Sequence, residues 1–238
     1  MKSMAQINPE AEKYISSIID KEVPYQVKVL NNNFIIKNVN VYPPGKLTEM
    51  FAEFLIDNNL VESKVVADIG AGFFALGIIA AKNGADTIIG SDISKYAIQC
   101  ATDNLILNGI TKNVYLFKGE GVSPLLPNFV GKIDIIVSGA PWDNLSKDEF
   151  KTIPPERRAI SHTFYDVDNK LITAIMLKGF KLLSHKGRIF ITSSMRSIDR
   201  IQHLCLKYQL SYKIVKEAYL HNDGNIHYIL EITQRLKR

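Results

Sequence analysis

Short, continuous apolar runs rich in β-branched residues alternate along most of the chain with segments in which apolar residues recur every three or four positions. The runs are typical of buried strands, and the segments between them have the period of helices. They predict strands near 64–69, 86–92, 113–118, 133–138, 188–194, 211–219 and 226–233, and helices from residue 48 and near 75–83, 94–108, 168–184 and 198–208. Because helices separate most strands, we expect an α/β fold with a mostly parallel sheet and helices on both faces. The last two strands have no helix between them and should pair as an antiparallel hairpin.

The first 47 residues have a different pattern. Asn8 and Pro9 form a helix start, as N-cap and first helical residue, and apolar residues follow at helical spacing as far as Ile18. Two apolar runs, 25–30 and 34–36, flank the three asparagines 31–33, a residue type that tolerates positive φ and favours a tight turn. The sequence therefore predicts an N-terminal lead of one short helix and one β-hairpin over 1–47, followed by a single main domain over 48–238.

Composition fits an ordinary globular protein, with 46% hydrophobic and 22% charged residues in a chain of 238. Cys100 and Cys205 are the only cysteines, too few for a disulfide framework, which favours a reducing compartment. The first twenty residues lack an apolar signal core, and the longest apolar run, around 72–81, is too short to cross a bilayer. We therefore expect a cytoplasmic protein that does not insert into membranes.

The net charge of +5 is unevenly distributed, because Lys178 to Arg238 contains twelve Lys and Arg against four Asp and Glu. A basic region of this kind attracts nucleic acid or an acidic protein. Scattered surface lysines that give solubility explain it equally well, since no helix concentrates the charge on one stripe and no known nucleic-acid motif is present. The charge leaves nucleic acid open as a partner without establishing it.

The strongest chemical signal is VVADIGAG, from Val65 to Gly72, in which a buried strand leads directly into a glycine-rich turn and a helix. Glycines let a ligand approach the backbone, and the N–H groups of the helix start face that ligand. Asp68 near the strand end distinguishes this turn from a dinucleotide loop, whose early glycines make room for a pyrophosphate. A carboxylate at this place suits a cationic amino-acid tail better than a phosphate.

Two further acids follow at the ends of the next strands. Asp92 ends the second strand of the main domain, where a carboxylate is well placed to accept both hydroxyls of a ribose. Glu120, between two glycines, follows the third strand at the same edge of the sheet. Each acid alone has a plain structural explanation, as a helix cap, a turn residue or a solvated side chain. Their order and spacing together favour a nucleoside site.

The segments DIGAG, SDIS, GEG and SGAPW, in this order, resemble those of class I S-adenosylmethionine-dependent methyltransferases, and most of all the HemK-like, NPPY-bearing glutamine methyltransferases and their small-domain relatives. The resemblance covers about residues 40–233 and includes a proline-containing entry segment, Val41 to Glu49. It implies a Rossmann-like fold, S-adenosyl-L-methionine as cofactor and methyl transfer as activity. It also implies that Asp68 and Gly70 hold the methionine portion, Asp92 the ribose, Glu120 with Gly121 the adenine and Thr48 the tail, with Gly72, Ile93 and Gly139 completing the cofactor-binding set.

The chain departs from this family at two places. Where a third glycine is common in the turn it has Phe73 and Phe74, which predicts a less open loop or an aromatic wall. The family's Asn-Pro-Pro-Tyr is replaced by Gly139, Ala140, Pro141 and Trp142. In the family the Asn side chain and the neighbouring backbone carbonyl accept hydrogen bonds from the target amino group, and Gly139 has no side chain to do so. We still predict that residues 139–142 form the catalytic, acceptor-facing loop, with backbone carbonyls, Asp143 or Asn144 as replacement acceptors.

Other candidates surround this loop. Trp142 can stack on a planar substrate or simply pack as a lid against the following helix. The segment 152–168 lies where the family carries its substrate loop, and its residues Arg157, Arg158, His162 and Tyr165 either meet the acceptor or are solvated. His221, Asp223 and His227 resemble metal ligands, but a hairpin turn explains them better, so we expect no metal.

The leading functional hypothesis is a methyltransferase acting on an amino or amide nitrogen of an unidentified protein, nucleic acid or metabolite. A small-molecule O- or N-methyltransferase is the alternative among enzymes, favoured by the lost Asn and the short lead. A non-catalytic, methyltransferase-like subunit is the alternative outside enzymes. A nicotinamide dehydrogenase is disfavoured by Asp68. Neither the acceptor nor the oligomeric state follows from the sequence.

Overall fold

The structure is a computed structural model that describes residues 8–220 and 225–235. Its strands are β1 (Tyr25–Val29), β2 (Asn32–Ile36), β3 (Val65–Ile69), β4 (Thr87–Asp92), β5 (Val114–Lys118), β6 (Ile133–Ser138), β7 (Leu183–Ser194), β8 (Leu210–Tyr219) and β9 (Ile226–Gln234). Its helices are α1 (Pro9–Ile19), α2 (Lys46–Asp57), α3 (Ala75–Lys82), α4 (Lys95–Leu107), α5 (Leu126–Phe129), α6 (Lys147–Phe150), α7 (Arg158–Ser161), α8 (Lys170–Ala174), α9 (Phe180–Leu182) and α10 (Ile198–Lys207). Short 3₁₀ turns lie at Ser123–Leu125, Pro155–Arg157 and Val167–Asn169, and a π-helical turn at Ile175–Gly179 joins α8 to α9.

Seven strands form one sheet in the order β5-β4-β3-β6-β7-β9-β8. The first five of these are parallel, and β9 runs antiparallel to both β7 and β8. This confirms the predicted Rossmann-like α/β fold with an antiparallel C-terminal hairpin. The strand order reverses between β3 and β6, so the turn after β3 and the loop after β6 are neighbours at the carboxyl edge of the sheet. Open α/β sheets bind ligands in the crevice at this position.

The N-terminal lead packs against the main domain on two sides. The hairpin of β1 and β2 lies on α4, where the backbone N–H of Ile35 donates to Oδ1 of the buried Asn104 at 2.7 Å. Nδ2 of the same Asn104 donates to the carbonyl of Phe73 at 3.2 Å, which ties the hairpin to the glycine-rich turn. Helix α1 buries Ala11, Ile15 and Ile18 in a separate cluster with residues from 145–165. The lead is therefore an integral part of the described core.

Several predicted boundaries move in the structure. The hairpin turns at Leu30 and Asn31, with Leu30 at φ 51°, and the other two asparagines belong to β2. This register buries Val29, Phe34 and Ile36 completely, and burial of one face decides the register of a hairpin. Helix α2 begins at Lys46 rather than residue 48. The helix predicted near 168–184 starts later, because Asp168 and Asn169 both have φ of +56°, and β7 starts earlier, at Leu183.

The two phenylalanines of the glycine-rich turn have different roles. Phe73 lines the crevice at the carboxyl edge, whereas Phe74 is fully buried beneath it. A Cβ atom at Gly77 or Gly90 would overlap the ring of Phe74, so these two glycines make the space it fills. Of the two phenylalanines predicted to line this turn, Phe73 alone faces the crevice, and Phe74 is a core residue whose left-handed backbone (φ 66°) starts α3.

The described residues contain no helix long and apolar enough to cross a bilayer. Cys100 and Cys205 are both buried, free thiols. Two of the C-terminal cations take part in internal contacts, since Arg188 forms a bidentate pair with Glu231 at 2.7 and 2.9 Å and Arg200 binds backbone carbonyls. The basic excess of the C-terminal region is thus partly structural.

Candidate functional site

A cavity of about 640 Å³ opens at the carboxyl edge of the sheet, above the point where the strand order reverses. Its walls come from α1, the segment before α2, the turns after β3, β4 and β5, the loop after β6 and the segment 147–171. All twelve predicted site residues line it: Thr48, Asp68, Gly70, Gly72, Asp92, Ile93, Glu120, Gly121, Gly139, Ala140, Pro141 and Trp142. The structure therefore brings the predicted cofactor and acceptor residues into one space, although their individual roles stay predictions.

The glycine-rich turn after β3 is held by the neighbouring strand. Gly70 and Gly72 have φ of +75° and +55°, which residues with a Cβ rarely adopt. The N–H of Gly70 donates to the carbonyl of Ser91 at 2.8 Å, and the N–H of Gly72 donates to Oδ2 of Asp92 at 2.9 Å. The turn is therefore fixed in a shape that exposes backbone to the cavity.

Asp92 has a structural role as well as its predicted binding role. Its Oδ1 accepts from the N–H of Ser94 at 2.8 Å and its Oδ2 from the N–H of Gly72. A carboxylate offers about four lone-pair sites, so beside the backbone N–H groups it keeps capacity for a hydroxyl group of a ligand. Burial raises the pKa of Asp92, and the backbone N–H groups oppose that rise. The side chain links the glycine-rich turn to the start of α4 and remains able to accept hydrogen bonds from the cavity.

Asp68 lies at the end of β3 with only 3% of its surface exposed. Burial is the largest cause that raises its pKa well above the ordinary value; the charge of Asp92 adds to it, and a hydrogen bond from the backbone N–H of Gly77 opposes it. A buried carboxylate needs a cation or several donors to remain ionised. The site therefore has two neighbouring acids that a cationic ligand would stabilise.

The turn after β5 is hydrogen-bonded to the end of β4. Oγ of the buried Ser91 donates to the carbonyl of Gly121 at 2.8 Å, and Gly121 has φ of +54°. Glu120 is exposed at the cavity rim, 3.7 Å from Nζ of Lys170. The backbone at Gly121 is thus fixed, whereas the Glu120 carboxylate is free to move at the surface.

The loop after β6 is held by a residue that the sequence did not indicate. Arg200, on α10, donates from Nη2 to the carbonyl of Pro141 at 2.7 Å and from Nη1 to the carbonyl of Asp143 at 2.8 Å. At the start of the loop, Oγ of Ser138 donates to the carbonyl of Ile69 at 2.6 Å. Arg200 therefore fixes the second half of the loop, and the residues of its first half, Gly139 and Ala140, line the cavity.

Gly139 faces open space. No heavy atom lies within 4 Å of a Cβ built on it, and its φ is outside the left-handed region. The missing Asn side chain therefore leaves a real gap beside the loop. Asp143 and Asn144 do not fill it, because neither lines the cavity and Oδ1 of Asp143 accepts from the N–H of Asn144 at 2.8 Å. The prediction that one of them replaces the Asn is wrong.

Trp142 both packs and lines the cavity. Its half-buried ring makes edge contacts with Tyr14 at 6.1 Å, Phe164 at 5.9 Å and His227 at 6.2 Å between centroids. Tyr42 extends this set through an edge contact with Phe164 at 5.3 Å. We call Tyr14, Tyr42, Trp142 and Phe164 the aromatic wall. The lid role and the substrate role predicted for Trp142 are therefore compatible with one position.

The predicted substrate segment 152–168 is ordered by internal contacts. Arg158 lines the cavity and donates to the carbonyls of Ile153 at 2.9 Å and Lys151 at 2.7 Å. Arg157 does not line the cavity and instead pairs with Glu12 of α1 at 3.0 Å. His162 and Tyr165 also line the cavity, and burial lowers the pKa of His162. Asp166, which the sequence did not single out, caps α8 by accepting the N–H groups of Leu171 and Ile172 at 2.8 and 3.1 Å.

Of the three metal-like residues, the structure describes His227. His221 and Asp223 lie outside the described residues, and His227 is buried in β9 beside Trp142. Within residues 8–220 and 225–235, no group of three or more His, Cys, Asp or Glu is arranged to hold a metal ion.

The sequence and the fold both match methyltransferases. The family model "Ribosomal protein L11 methyltransferase (PrmA)" matches residues 47–160. A protein of Methanocaldococcus jannaschii named as a protein N5-glutamine methyltransferase is 36% identical over 109 residues, which are 46% of this chain and 51% of that protein. A ribosomal protein L11 methyltransferase of Caldanaerobacter subterraneus is 40% identical over 91 residues, 38% of this chain and 28% of that protein. The chain thus spans about half or less of the length of these curated relatives.

Among solved structures, a ribosomal protein L11 methylase of Lactobacillus delbrueckii superimposes with a TM-score of 0.55 and 20% identity, covering 82% of each chain. At this identity the superposition demonstrates a shared fold. The family-model match, over residues 47–160, includes β3 to β6 and the turns that follow them. Over part of its length the chain is therefore similar in sequence to ribosomal protein L11 methyltransferases and to a protein N5-glutamine methyltransferase, and it shares the fold of a ribosomal protein L11 methylase.

Proposed function

We propose that the chain transfers the methyl group of S-adenosyl-L-methionine to an amino or amide nitrogen of an acceptor. The observation that carries this proposal is the cavity itself, which places the acids of β3 and β4 and the loop after β6 around one space. Bound S-adenosylmethionine supplies an activated methyl group on a positively charged sulfur. The protein then has to hold the cofactor, align the acceptor and exclude water.

The donors and acceptors on the cofactor side fit this group. Asp68 is a buried carboxylate that lacks a cationic side-chain partner in the described part of the chain, and an ammonium group of the methionine tail would supply one. Asp92 has unused lone pairs for the ribose hydroxyls. The positive φ of Gly70, Gly72 and Gly121 keeps side chains away from the ligand. Thr48, in the first turn of α2, lies at the same wall for the tail.

On the acceptor side, the carbonyls of Gly139 and Ala140 orient a nitrogen by accepting its hydrogen bonds. An acceptor nitrogen with a free electron pair forms the new N–C bond while the C–S bond breaks. The electron pair of the broken C–S bond stays on sulfur, and the methylated nitrogen releases one proton to the solvent after the transfer. The aromatic wall excludes water around this point. Little covalent chemistry is required of the protein, so positioning accounts for most of the expected rate gain.

Calorimetric titration with S-adenosylmethionine and with its demethylated product tests the cofactor half of the proposal. We expect dissociation constants in the micromolar range, about −8 kcal/mol. No heat and no thermal stabilisation at millimolar cofactor would refute it. Incubation with methyl-labelled cofactor and fractionated extract then identifies whether label enters protein, RNA or small molecules, and absence of transfer with normal cofactor binding would favour a non-catalytic subunit.

Trp142→Ala tests the acceptor half. We expect it to lower turnover or acceptor binding while cofactor affinity stays within about threefold, the separation expected of a substrate-side residue. Unchanged turnover on an identified acceptor would move the acceptor face to the segment 152–168. A cytoplasmic location stays a prediction from the sequence. The partner that we propose is the unidentified methyl acceptor.

A further inference from the structure

The cavity has more cations at its rim than the cofactor can use. Of the four acids that line it, three accept backbone N–H groups and the fourth, Glu120, lies beside Lys170. Lys151 pairs with Asp148 at 2.9 Å. Four lining cations have no carboxylate within 4.0 Å among the described residues: Lys21, Lys46, Lys147 and Arg158.

The cofactor accounts for one of these cations. Its amino-acid tail carries a single carboxylate, and Lys46 is two residues from Thr48, the residue implied to bind that tail. Lys21, Lys147 and Arg158 remain, on α1 and on the segment that covers the acceptor side. Two hydrogen bonds to backbone carbonyls fix the guanidinium of Arg158, but they do not neutralise its positive charge. Arg158 and two exposed lysines therefore line the same cavity, and Nζ of Lys21 also lies over the ring of Tyr25, 5.0 Å from its centroid, a contact that neutralises no charge. Three unneutralised cations at one cavity favour an anionic group on the ligand.

The wall next to these cations is aromatic. Trp142 and Tyr42 are half-buried, Tyr14 is 42% exposed, and all three line the cavity together with the buried Phe164. Stacking on such side chains stabilises a planar base by roughly 1 to 3 kcal/mol. Beside them, the open space at Gly139 lacks a side-chain partner for a primary amide. An acidic peptide would use the cations and leave the wall without a partner.

We propose that the methyl acceptor is an amino-bearing nucleobase that carries its phosphate. The base lies against the aromatic wall with its exocyclic amino nitrogen at the carbonyls of Gly139 and Ala140, and the phosphate contacts Arg158, Lys147 and Lys21. This inference rests on the proposed function. The bonds formed and broken and the proton lost are those of the methyl-transfer step described there. A free nucleotide and a nucleotide within single-stranded RNA share this chemistry.

Fluorescence anisotropy on the full chain, saturated with S-adenosylhomocysteine, tests the proposal with two labelled probes and two competitors. The probes are a short single-stranded RNA of mixed sequence and a glutamate peptide of equal length, and the competitors are AMP and CMP. We expect the RNA to bind at least about tenfold more tightly than the peptide, a difference of about 1.4 kcal/mol. Competition by AMP or CMP assigns the site to a single nucleotide, and RNA binding without competition assigns it to a strand; both support the proposal.

Two matched variant pairs make the test specific. A double variant, Lys21→Glu with Lys147→Glu, changes two exposed residues and should weaken RNA binding about tenfold or more. The slope of log affinity against log salt concentration should fall by about two, because two phosphate contacts are lost. Lys112→Glu with Lys186→Glu, equally exposed but outside the cavity, is the control. Tyr14→Ala should weaken binding and the exposed Tyr219→Ala should not.

Equal binding of RNA and glutamate peptide, or equal effects of the cavity and control pairs, would overturn the assignment of a nucleotide. Neither RNA nor nucleotide binding, with normal titration of S-adenosylhomocysteine, would overturn it while leaving the proposed function intact. If the unmodified chain does not bind S-adenosylhomocysteine, that result overturns the proposed function and this inference with it.

Discussion

Asp68→Asn should make the protein without cofactor more stable and at the same time impair cofactor binding. Asp68 is almost completely buried, and one backbone N–H, that of Gly77, is the hydrogen-bond donor that lowers its pKa. Burial and the nearby Asp92 together disfavour its ionised form. Asparagine has nearly the same shape, keeps an oxygen for the N–H of Gly77 and presents an NH₂ group towards Asp92. Removing such a functional but unfavourable charge commonly stabilises a protein by about 1 kcal/mol, or roughly 2 to 4 °C in a chain of this size.

The sign of the pH dependence follows from the raised pKa of Asp68 in the folded state. The unfolded chain releases this proton at a lower pH than the folded protein does. The destabilisation is therefore absent below the unfolded pKa, near 4, and grows as the pH rises through the folded pKa. The stability advantage of Asp68→Asn should accordingly appear at neutral pH and disappear in acid.

Cofactor binding should change in the opposite direction. The variant loses an ionised acceptor for the ammonium group of the methionine tail, a contact of about 1.5 to 3 kcal/mol, so affinity should fall roughly tenfold to a hundredfold. Differential scanning fluorimetry across pH measures the first effect and calorimetric titration the second. A lower melting temperature at neutral pH, or an unchanged dissociation constant, would refute this account of Asp68.

Three further variants separate the roles of the other site residues. Asp92→Asn should weaken cofactor binding by about 1.5 to 3 kcal/mol and, unlike the Asp68 variant, lower the melting temperature, because one of two backbone N–H groups loses its acceptor. Gly139→Asn should fold normally, since its Cβ meets no atom within 4 Å, and labelled-methyl assays should show increased transfer to primary amides with cofactor affinity within about threefold. Arg200→Met should cost about 1 to 3 kcal/mol in urea unfolding, because the carbonyl of Pro141 loses its donor and that of Asp143 keeps only the N–H of Asp166; no loss would show that the Arg200 bonds do not hold the loop.

The cofactor side of the site could be predicted from sequence because its residues belong to strand ends. Asp68 is the penultimate residue of β3 and Asp92 the last residue of β4, and the parallel order brings those strand ends to one edge. The wrong hairpin turn shows the limit of such local signals. Asparagine favours turns at any of positions 31–33, and the burial of Phe34 and Ile36 in the assembled core decided between them.

Residues that act through distant contacts gave no comparable signal. Arg200 lies fifty-nine positions after Pro141, whose carbonyl it binds, and nothing in its own helix distinguishes it from a surface arginine. Asn104 is a second example. In the sequence it is one of several polar residues of α4, and its role becomes visible only because the hairpin and the glycine-rich turn pack against it in the fold. A buried Asn or Arg that binds backbone carbonyls can be recognised only when the fold supplies those carbonyls.

The acceptor side was predicted least well for a related reason. Its helices α6 and α7 have four residues each and are too short to be stable alone or to show a helical period. They are held by a hydrophobic cluster that joins α1 to the segment 145–165, with Ile15, Phe150 and Phe164 among its members. The proposed acceptor pocket is thus lined by the N-terminal lead and by a segment more than a hundred residues later, beside the strand ends proposed to bind the cofactor. Changes in either segment can therefore alter acceptor preference while the strand-end residues that face the cofactor stay in place.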